Sequence, residues 1–190
     1  MLEAFLVSTG VVALSEIGDK TQLLSLMLAA RFRQPWPIVG GIFVATLVNH
    51  TIAGAIGAWL RNVVPPDALK WIVALSFFAV AIWALVPDSL DEKPATASRL
   101  GVFTVTVIAF FLAEMGDKTQ IATAILAARF DSLWAVVAGT TLGMLIADVP
   151  VVFAGKFAAG RLPLTAIRIA AAIMFAALGA WVLLKRPAGR

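Results

Sequence analysis

The 190-residue sequence contains no cysteine and a single histidine, His50. Without thiolates the chain forms neither a disulfide framework nor a cysteine-ligated metal site, and one histidine excludes a multi-histidine zinc or copper centre. Charged residues make up only 14% of the chain, against about 25% in average soluble domains, while 61% of residues are hydrophobic. A soluble domain of this size cannot bury so much apolar surface. The composition predicts an integral membrane protein and excludes a disordered chain.

Six apolar stretches are long enough to cross a hydrocarbon core, which takes about 20 helical residues. They are predicted at 4–30, 37–60, 68–86, 100–128, 133–157 and 165–184. The formal net charge of +4 lies mainly between these stretches, so the basic residues act as topology signals and nucleic acid is not an expected partner. No basic region precedes the first stretch, so we expect no cleaved signal peptide. The prediction is an all-α integral membrane protein with six transmembrane helices.

The chain contains an internal repeat with an offset of 98 residues. Residues 16–22, EIGDKTQ, return as residues 114–120, EMGDKTQ, and 11 of the 17 positions from 16–32 are identical in 114–130. Chance predicts about one or two matches. We therefore predict two three-helix repeats, 1–90 and 99–190, joined by a polar loop at 91–98. Because three spans are an odd number, the second repeat is inverted, and transporters built this way bind their substrate near the membrane midplane.

Ionisable side chains inside the predicted spans are the main functional signal. A charge at the centre of a membrane helix costs about 2.5–3.5 kcal/mol on insertion scales. On a continuous helix Glu16, Asp19 and Lys20 would share one face, with Thr21 turned away from it, and the fourth span would repeat this arrangement, with Thr119 turned away. The five acids and two lysines inside the spans sum to a charge of −3, which favours a bound cation. The structural alternative is a self-neutralising pair between Glu16 and Lys20 within one helix.

The available donors are hard oxygen ligands, which suit Mn²⁺ or Ca²⁺, and less well Mg²⁺ because it dehydrates reluctantly. The predicted metal ligands are Glu16, Asp19, Glu114, Asp117 and Asp148. Supporting polar or proton-coupling roles are predicted for Lys20, Thr21, Gln22, Asn49, His50, Lys118, Thr119 and Gln120. Gly18 and Gly116 would allow a backbone or an ion to approach closely.

Three further residues carry weaker expectations. The thioether of Met115, beside Glu114, would favour Mn²⁺ if it were a ligand, although packing is the commoner role of methionine. Gly139 and Gly143 are spaced for close helix packing. His50 occupies the position equivalent to Asp148, and its imidazole is suited to proton exchange near neutral pH.

Two copies of E-x-G-D-[KR]-[TS], on the first and fourth of six spans, resemble the GDT family of cation transporters. Both motifs are intact, and the resemblance covers essentially the whole chain. It implies a non-enzymatic secondary transporter of Mn²⁺ or Ca²⁺, with protons as the counter-ion and no permanently bound cofactor. The absence of a targeting segment and of a long central loop suggests a prokaryotic member in the cytoplasmic membrane, surrounded by lipid. A homodimer is compatible with this size.

Two other functions compete with metal transport. The buried acids could hold the ammonium group of a small organic cation in an exporter of such solutes. A more remote alternative is an intramembrane aspartyl protease, because two membrane helices carry a Gly-Asp pair. That chemistry requires one aspartate to hold a proton, and a lysine beside each aspartate opposes this.

Overall fold

The computed structural model describes residues 1–86, 101–154 and 164–184, and these ranges are helical apart from short connections. In chain order, the described helices are α1 Leu2–Glu16, α2 Lys20–Phe32, α3 Pro35–Val63, α4 Pro66–Ala84, α5 Val102–Glu114, α6 Lys118–Arg129, α7 Leu133–Ala154 and α8 Leu164–Leu184. Helices α3, α4 and α7 are each long and apolar enough to cross a membrane. The all-α prediction is confirmed, whereas the predicted loop 91–98 lies outside the described residues.

The first and fourth predicted spans are wrong as continuous helices. Helix α1 ends at Glu16 and α2 begins at Lys20, and the same break separates α5 from α6. At the breaks, Gly18 has φ +81° and Gly116 has φ +77°. Glycine adopts this left-handed conformation without the steric cost that a Cβ imposes. The predicted common face of Glu16, Asp19 and Lys20 is therefore also wrong, because helical periodicity does not continue across the break.

Small residues let helices from the two halves of the chain pack closely. Helix α7 packs against α1 and α2, and α3 packs against α5 and α6. A Cβ added to Gly139 would lie 2.5 Å from the carbonyl oxygen of Phe5, and one added to Gly143 would lie 2.7 Å from that of Thr9. The predicted packing role of these two glycines is confirmed.

Apolar side chains occupy both the interior and the outer surface of the bundle. One buried cluster joins α4 and α8, where the rings of Phe77 and Phe175 stack with centroids 6.3 Å apart. A second surrounds Leu28, Ile42 and Phe110 of α2, α3 and α5. Large hydrophobic residues are also exposed on most of the helices. An apolar exterior is what contact with lipid chains requires.

Candidate functional site

The two helix breaks place four acidic residues in the protein interior. Glu16 and Glu114 are the last residues of α1 and α5, while Asp19 and Asp117 are the N-caps of α2 and α6. All four are at most 1% exposed. Neither aspartate side chain caps its own helix, although N-cap aspartates commonly do so. Neither carboxylate therefore serves as the side-chain cap of the helix that it begins.

Each motif lysine pairs with the aspartate of the other repeat. The Lys20 Nζ lies 3.0 Å from Asp117 Oδ1, and Lys118 forms an ion pair with Asp19. The alternative pair between Glu16 and Lys20 within one helix is not formed, because the helix is interrupted between these residues. The two crossed ion pairs join the breaks to each other.

Glu16 is the least satisfied acid of the site. It is fully buried, and within the described ranges neither of its carboxylate oxygens has a hydrogen-bond partner. Its charge interacts with those of the other four acids, Glu114, Asp19, Asp148 and Asp117. Glu16 thus lies within electrostatic reach of each of the other four predicted acids.

Asp148 on α7 is held by a residue that sequence reasoning missed. Ser25 on α2 donates a hydrogen bond of 2.7 Å to Asp148 Oδ1, whereas Asp148 Oδ2 has no partner in the described part of the chain. A signal for Ser25 was available, because the offset of 98 pairs it with Thr123, another hydroxyl residue. Two hydroxyl residues at equivalent positions of apolar spans indicate a polar contact inside the protein.

The second repeat satisfies its glutamate differently. The Thr119 hydroxyl lies 3.0 Å from Glu114 Oε2 and 3.3 Å from Asp117 Oδ2. The expectation that the threonines turn away from the acids is therefore wrong for Thr119, because the break reorients the first turn of α6. His50 Nε2 lies 3.9 Å from the same Glu114 oxygen. Thr21, the equivalent of Thr119, has a buried hydroxyl without a partner among the described residues.

The two motif glutamines are committed to backbone and amide contacts. Gln22 Oε1 accepts a hydrogen bond from the Gly18 backbone N–H, and Gln120 Oε1 accepts one from that of Gly116.

Met115 is 56% exposed. The thioether contribution of Met115, the less common role of methionine, stays a prediction.

The site is arranged around ammonium groups. Within 1–86, 101–154 and 164–184, no three acidic or histidine side chains converge as a ready metal centre. Instead, each motif aspartate faces an ammonium group, with Lys20 at Asp117 and Lys118 at Asp19. The five acids nevertheless outnumber the two lysines by three, and hard oxygen donors are the ligands that Mn²⁺ and Ca²⁺ take.

Comparisons with known proteins agree with this chemistry. The family model described as "Divalent cation/proton antiporter GDT1" matches residues 4–92 and 102–189. A Vibrio cholerae protein named "Putative manganese exporter" is 51% identical over 176 residues, which cover 92% of this chain and 88% of the Vibrio protein. No solved structure matches the chain.

More distant relatives come from photosynthetic organisms. A GDT1-like protein of Synechocystis is 30% identical over 196 residues, covering 92% of this chain and 94% of the relative. The GDT1-like protein 5 of Arabidopsis thaliana is 24% identical over 217 residues, covering 94% of each chain. Since the family model spans nearly the whole sequence, this chain belongs to the GDT1 family of divalent cation/proton antiporters, which are membrane transporters.

Proposed function

We propose that this protein exports Mn²⁺ across a bacterial cytoplasmic membrane in exchange for protons, with Ca²⁺ as a second accepted ion. The family supports divalent cation and proton exchange. The name of the Vibrio relative supports manganese and the outward direction. The oxygen donors of the buried acids suit both ions.

The observation that carries the proposal is the state of Glu16. A fully buried carboxylate without a partner is unfavourable in a membrane protein unless it binds a cation or takes up a proton. Those are the two species that a cation/proton antiporter exchanges. A purely structural network would be expected to neutralise its own charges. Here the two lysines can neutralise only two of the five acids.

We propose Glu16, Asp19, Glu114, Asp117 and Asp148 as the ligands from which the ion is coordinated. Supporting this set, Glu16 interacts electrostatically with all four of the others. With every group ionised, the five acids and two lysines sum to −3, and either a divalent ion or protons would reduce this negative charge. The proton-coupling role of His50 stays a prediction.

The lysines supply the counter-charge when no metal ion is bound. In the exchange cycle, an entering ion displaces Lys20 from Asp117 and Lys118 from Asp19. When the ion leaves, the ammonium groups return to the aspartates, and an acid takes up a proton. The crossed pairs support this cycle because each lysine already reaches the opposite repeat.

We further propose that the chain crosses the membrane six times as two inverted repeats, 1–90 and 99–190, joined by the loop 91–98. The two segments that the family model matches are themselves offset by 98 residues at their starts. The packing of α1 on α7 is mirrored by that of α5 on α3, as the repeat requires. Both helix breaks then lie near the middle of the membrane.

The test is Mn²⁺ flux in proteoliposomes with and without an imposed pH gradient. We expect flux that depends on the gradient and that disappears in Glu114→Gln and Glu16→Gln, because each variant removes a charge that the ion needs. Glu3→Gln is the matched control, since Glu3 lies in the exposed first turn of α1.

Three outcomes would contradict the proposal. Full flux in Glu114→Gln and Glu16→Gln would show that these two acids are not ion ligands. Flux that does not depend on the pH gradient would show that the ion is not exchanged for protons. Absence of both Mn²⁺ and Ca²⁺ flux would favour the organic-cation alternative.

A further inference from the structure

We propose that Gln22 and Gln120 are positioning residues that lock each ion-binding turn to a helix of the opposite repeat. This inference rests on the proposed function, because the turns are those that carry the proposed ligands. It assigns the two glutamines a role distinct from that of ligands.

The first contact of each glutamine closes the turn beside it. In the turn between two helices, a backbone N–H that lies outside the helical hydrogen-bond ladder needs another acceptor. The Gly18 N–H donates to Gln22 Oε1 at 2.9 Å, and the Gly116 N–H donates to Gln120 Oε1 at 2.7 Å. Each bond spans four residues and encloses the aspartate of its motif. The glutamine therefore holds the turn in the conformation that positions this aspartate.

The second contact of Gln22 reaches the other half of the chain. Gln22 Nε2 donates 3.1 Å to the backbone carbonyl of Ala147 on α7. Ala147 directly precedes Asp148, a proposed ligand. The turn that carries Asp19 is therefore fixed relative to the helix that carries Asp148.

Gln120 makes the corresponding connection to the opposite repeat at Asn49, the residue equivalent to Ala147, and Asn49 relays the contact back to α5 of the second repeat. Gln120 Nε2 donates 3.2 Å to Asn49 Oδ1 on α3, and Asn49 Nδ2 donates 3.0 Å to the carbonyl of Phe111 on α5. Phe111 lies one helical turn before Glu114. The Asn49 side chain therefore accepts from Gln120 as the Ala147 backbone carbonyl accepts from Gln22. Both turns therefore contact the opposite repeat, one through a backbone oxygen and the other through a side-chain oxygen. This indicates that both turns need the connection.

These contacts give the glutamines a role other than that of ligands in this arrangement. The oxygen of each glutamine accepts the glycine N–H, and the amide nitrogen donates to the opposite repeat, so both ends of the carboxamide serve to hold the turn. Partners that orient metal ligands typically change metal affinity about 10- to 100-fold when they are removed. We therefore expect the glutamines to control how tightly the ion binds.

The experiment measures the Mn²⁺ concentration that gives half-maximal flux in proteoliposomes, normalised to folded protein by gel filtration. Gln22→Met and Gln120→Met keep side-chain length and remove both contacts. We expect each to raise the half-saturating concentration about tenfold. Gln34→Met is the matched control, since Gln34 is exposed at the start of α3 and its side chain does not cap that helix.

A double-mutant cycle separates positioning from general destabilisation. Asn49→Ala removes the relay but leaves the bond between Gln120 and Gly116. We expect a smaller increase than for Gln120→Met. The double variant should then match Gln120→Met alone, because both changes interrupt one connection. Additive increases would contradict a shared connection.

The outcomes distinguish this inference from the proposed function. If the wild-type protein moves Mn²⁺ and both methionine variants keep its half-saturating concentration, the positioning role is overturned. A loss confined to the yield of folded protein would also overturn it. If the wild-type protein neither moves Mn²⁺ nor is stabilised by it against heat, the proposed function fails, and this inference fails with it.

Discussion

At the scale of single residues, Lys20 and Lys118 decide the charge balance of the site. Lys118 is almost fully buried, whereas the Lys20 side chain is 24% exposed. Removing one partner of a buried ion pair leaves an uncompensated charge, a change that costs about 3–5 kcal/mol. Without a bound ion, the site therefore depends more on the ion pair between Lys118 and Asp19 than on the pair between Lys20 and Asp117.

We predict that Lys118→Met binds Mn²⁺ more tightly but transports it more slowly. The ion no longer competes with an ammonium group for Asp19, so the dissociation constant should fall, on the order of tenfold for each 1.4 kcal/mol of competition removed. Turnover should fall because the empty site has lost its internal counter-charge. Titration calorimetry and proteoliposome flux measure the two effects.

Lys70→Met on α4 is the control for this substitution, because it removes a lysine outside the site. It should leave both quantities unchanged. Weaker Mn²⁺ binding in Lys118→Met would show that the lysine assists the ion instead of competing with it.

At the scale of helices, the breaks at Gly18 and Gly116 are the main departure from the sequence prediction. Hydropathy is averaged over long windows, so a three-residue interruption in an apolar stretch leaves little trace in it. The local signal was a glycine followed by an aspartate, in a pattern that occurs twice. Glycine tolerates the left-handed backbone, and aspartate is a common N-cap. The motif therefore carries the signals that end one helix and begin the next.

Close packing between α7 and α1 leads to a prediction for stability. In Gly139→Ala the new Cβ would meet the backbone of α1 at Phe5, which cannot move aside as a side chain can. We expect a loss of roughly 1–3 kcal/mol in the free energy of unfolding. Reversible denaturation in detergent micelles measures this change.

Gly10→Ala is the matched control for Gly139→Ala. Gly10 lies within α1, and a Cβ at this position would meet nothing within 4 Å. Since alanine favours a helix over glycine by up to about 1 kcal/mol, this variant should be as stable as the wild type or more so. Equal stability of the two variants would contradict the close contact between α1 and α7.

At the scale of the whole molecule, two sets of contacts mark the two ends of the bundle. At one end, Met1 and Ser132 line the same cavity of about 480 Å³, and Arg61 lies 3.5 Å from Asp131. At the other, the rings of Trp36 and Phe153 meet edge to face, with centroids 5.4 Å apart. An arrangement of six crossings would expose these ends on opposite sides of the membrane.

The absence of cysteine makes this topology directly testable, since the wild-type chain gives no background with thiol reagents. Single cysteines at the exposed positions Leu2 and Asn62 should react with an impermeant reagent from one side only. Single cysteines at Gln34 and Gly101, also exposed, should react only from the other side. Labelling of Asn62 and Gln34 from the same side would contradict the inverted repeats.

The sequence alone determined the class of the protein, its helical content and the acids of the candidate site. Hydropathy depends on composition within each stretch, so the membrane-protein class required no structure. The repeat at an offset of 98 identified Glu16, Asp19 and their equivalents, because duplicated charges in apolar spans are improbable without a role.

Only the tertiary structure decided which side chains pair. The crossed ion pairs of Lys20 with Asp117 and Lys118 with Asp19, and the bond between Ser25 and Asp148, join residues about 100 or more positions apart. Periodicity within one helix cannot predict such contacts, because they depend on how helices from the two halves of the chain pack together. The same packing leaves Glu16 without a hydrogen-bond partner among the described residues, whereas Glu114 accepts a hydrogen bond from Thr119.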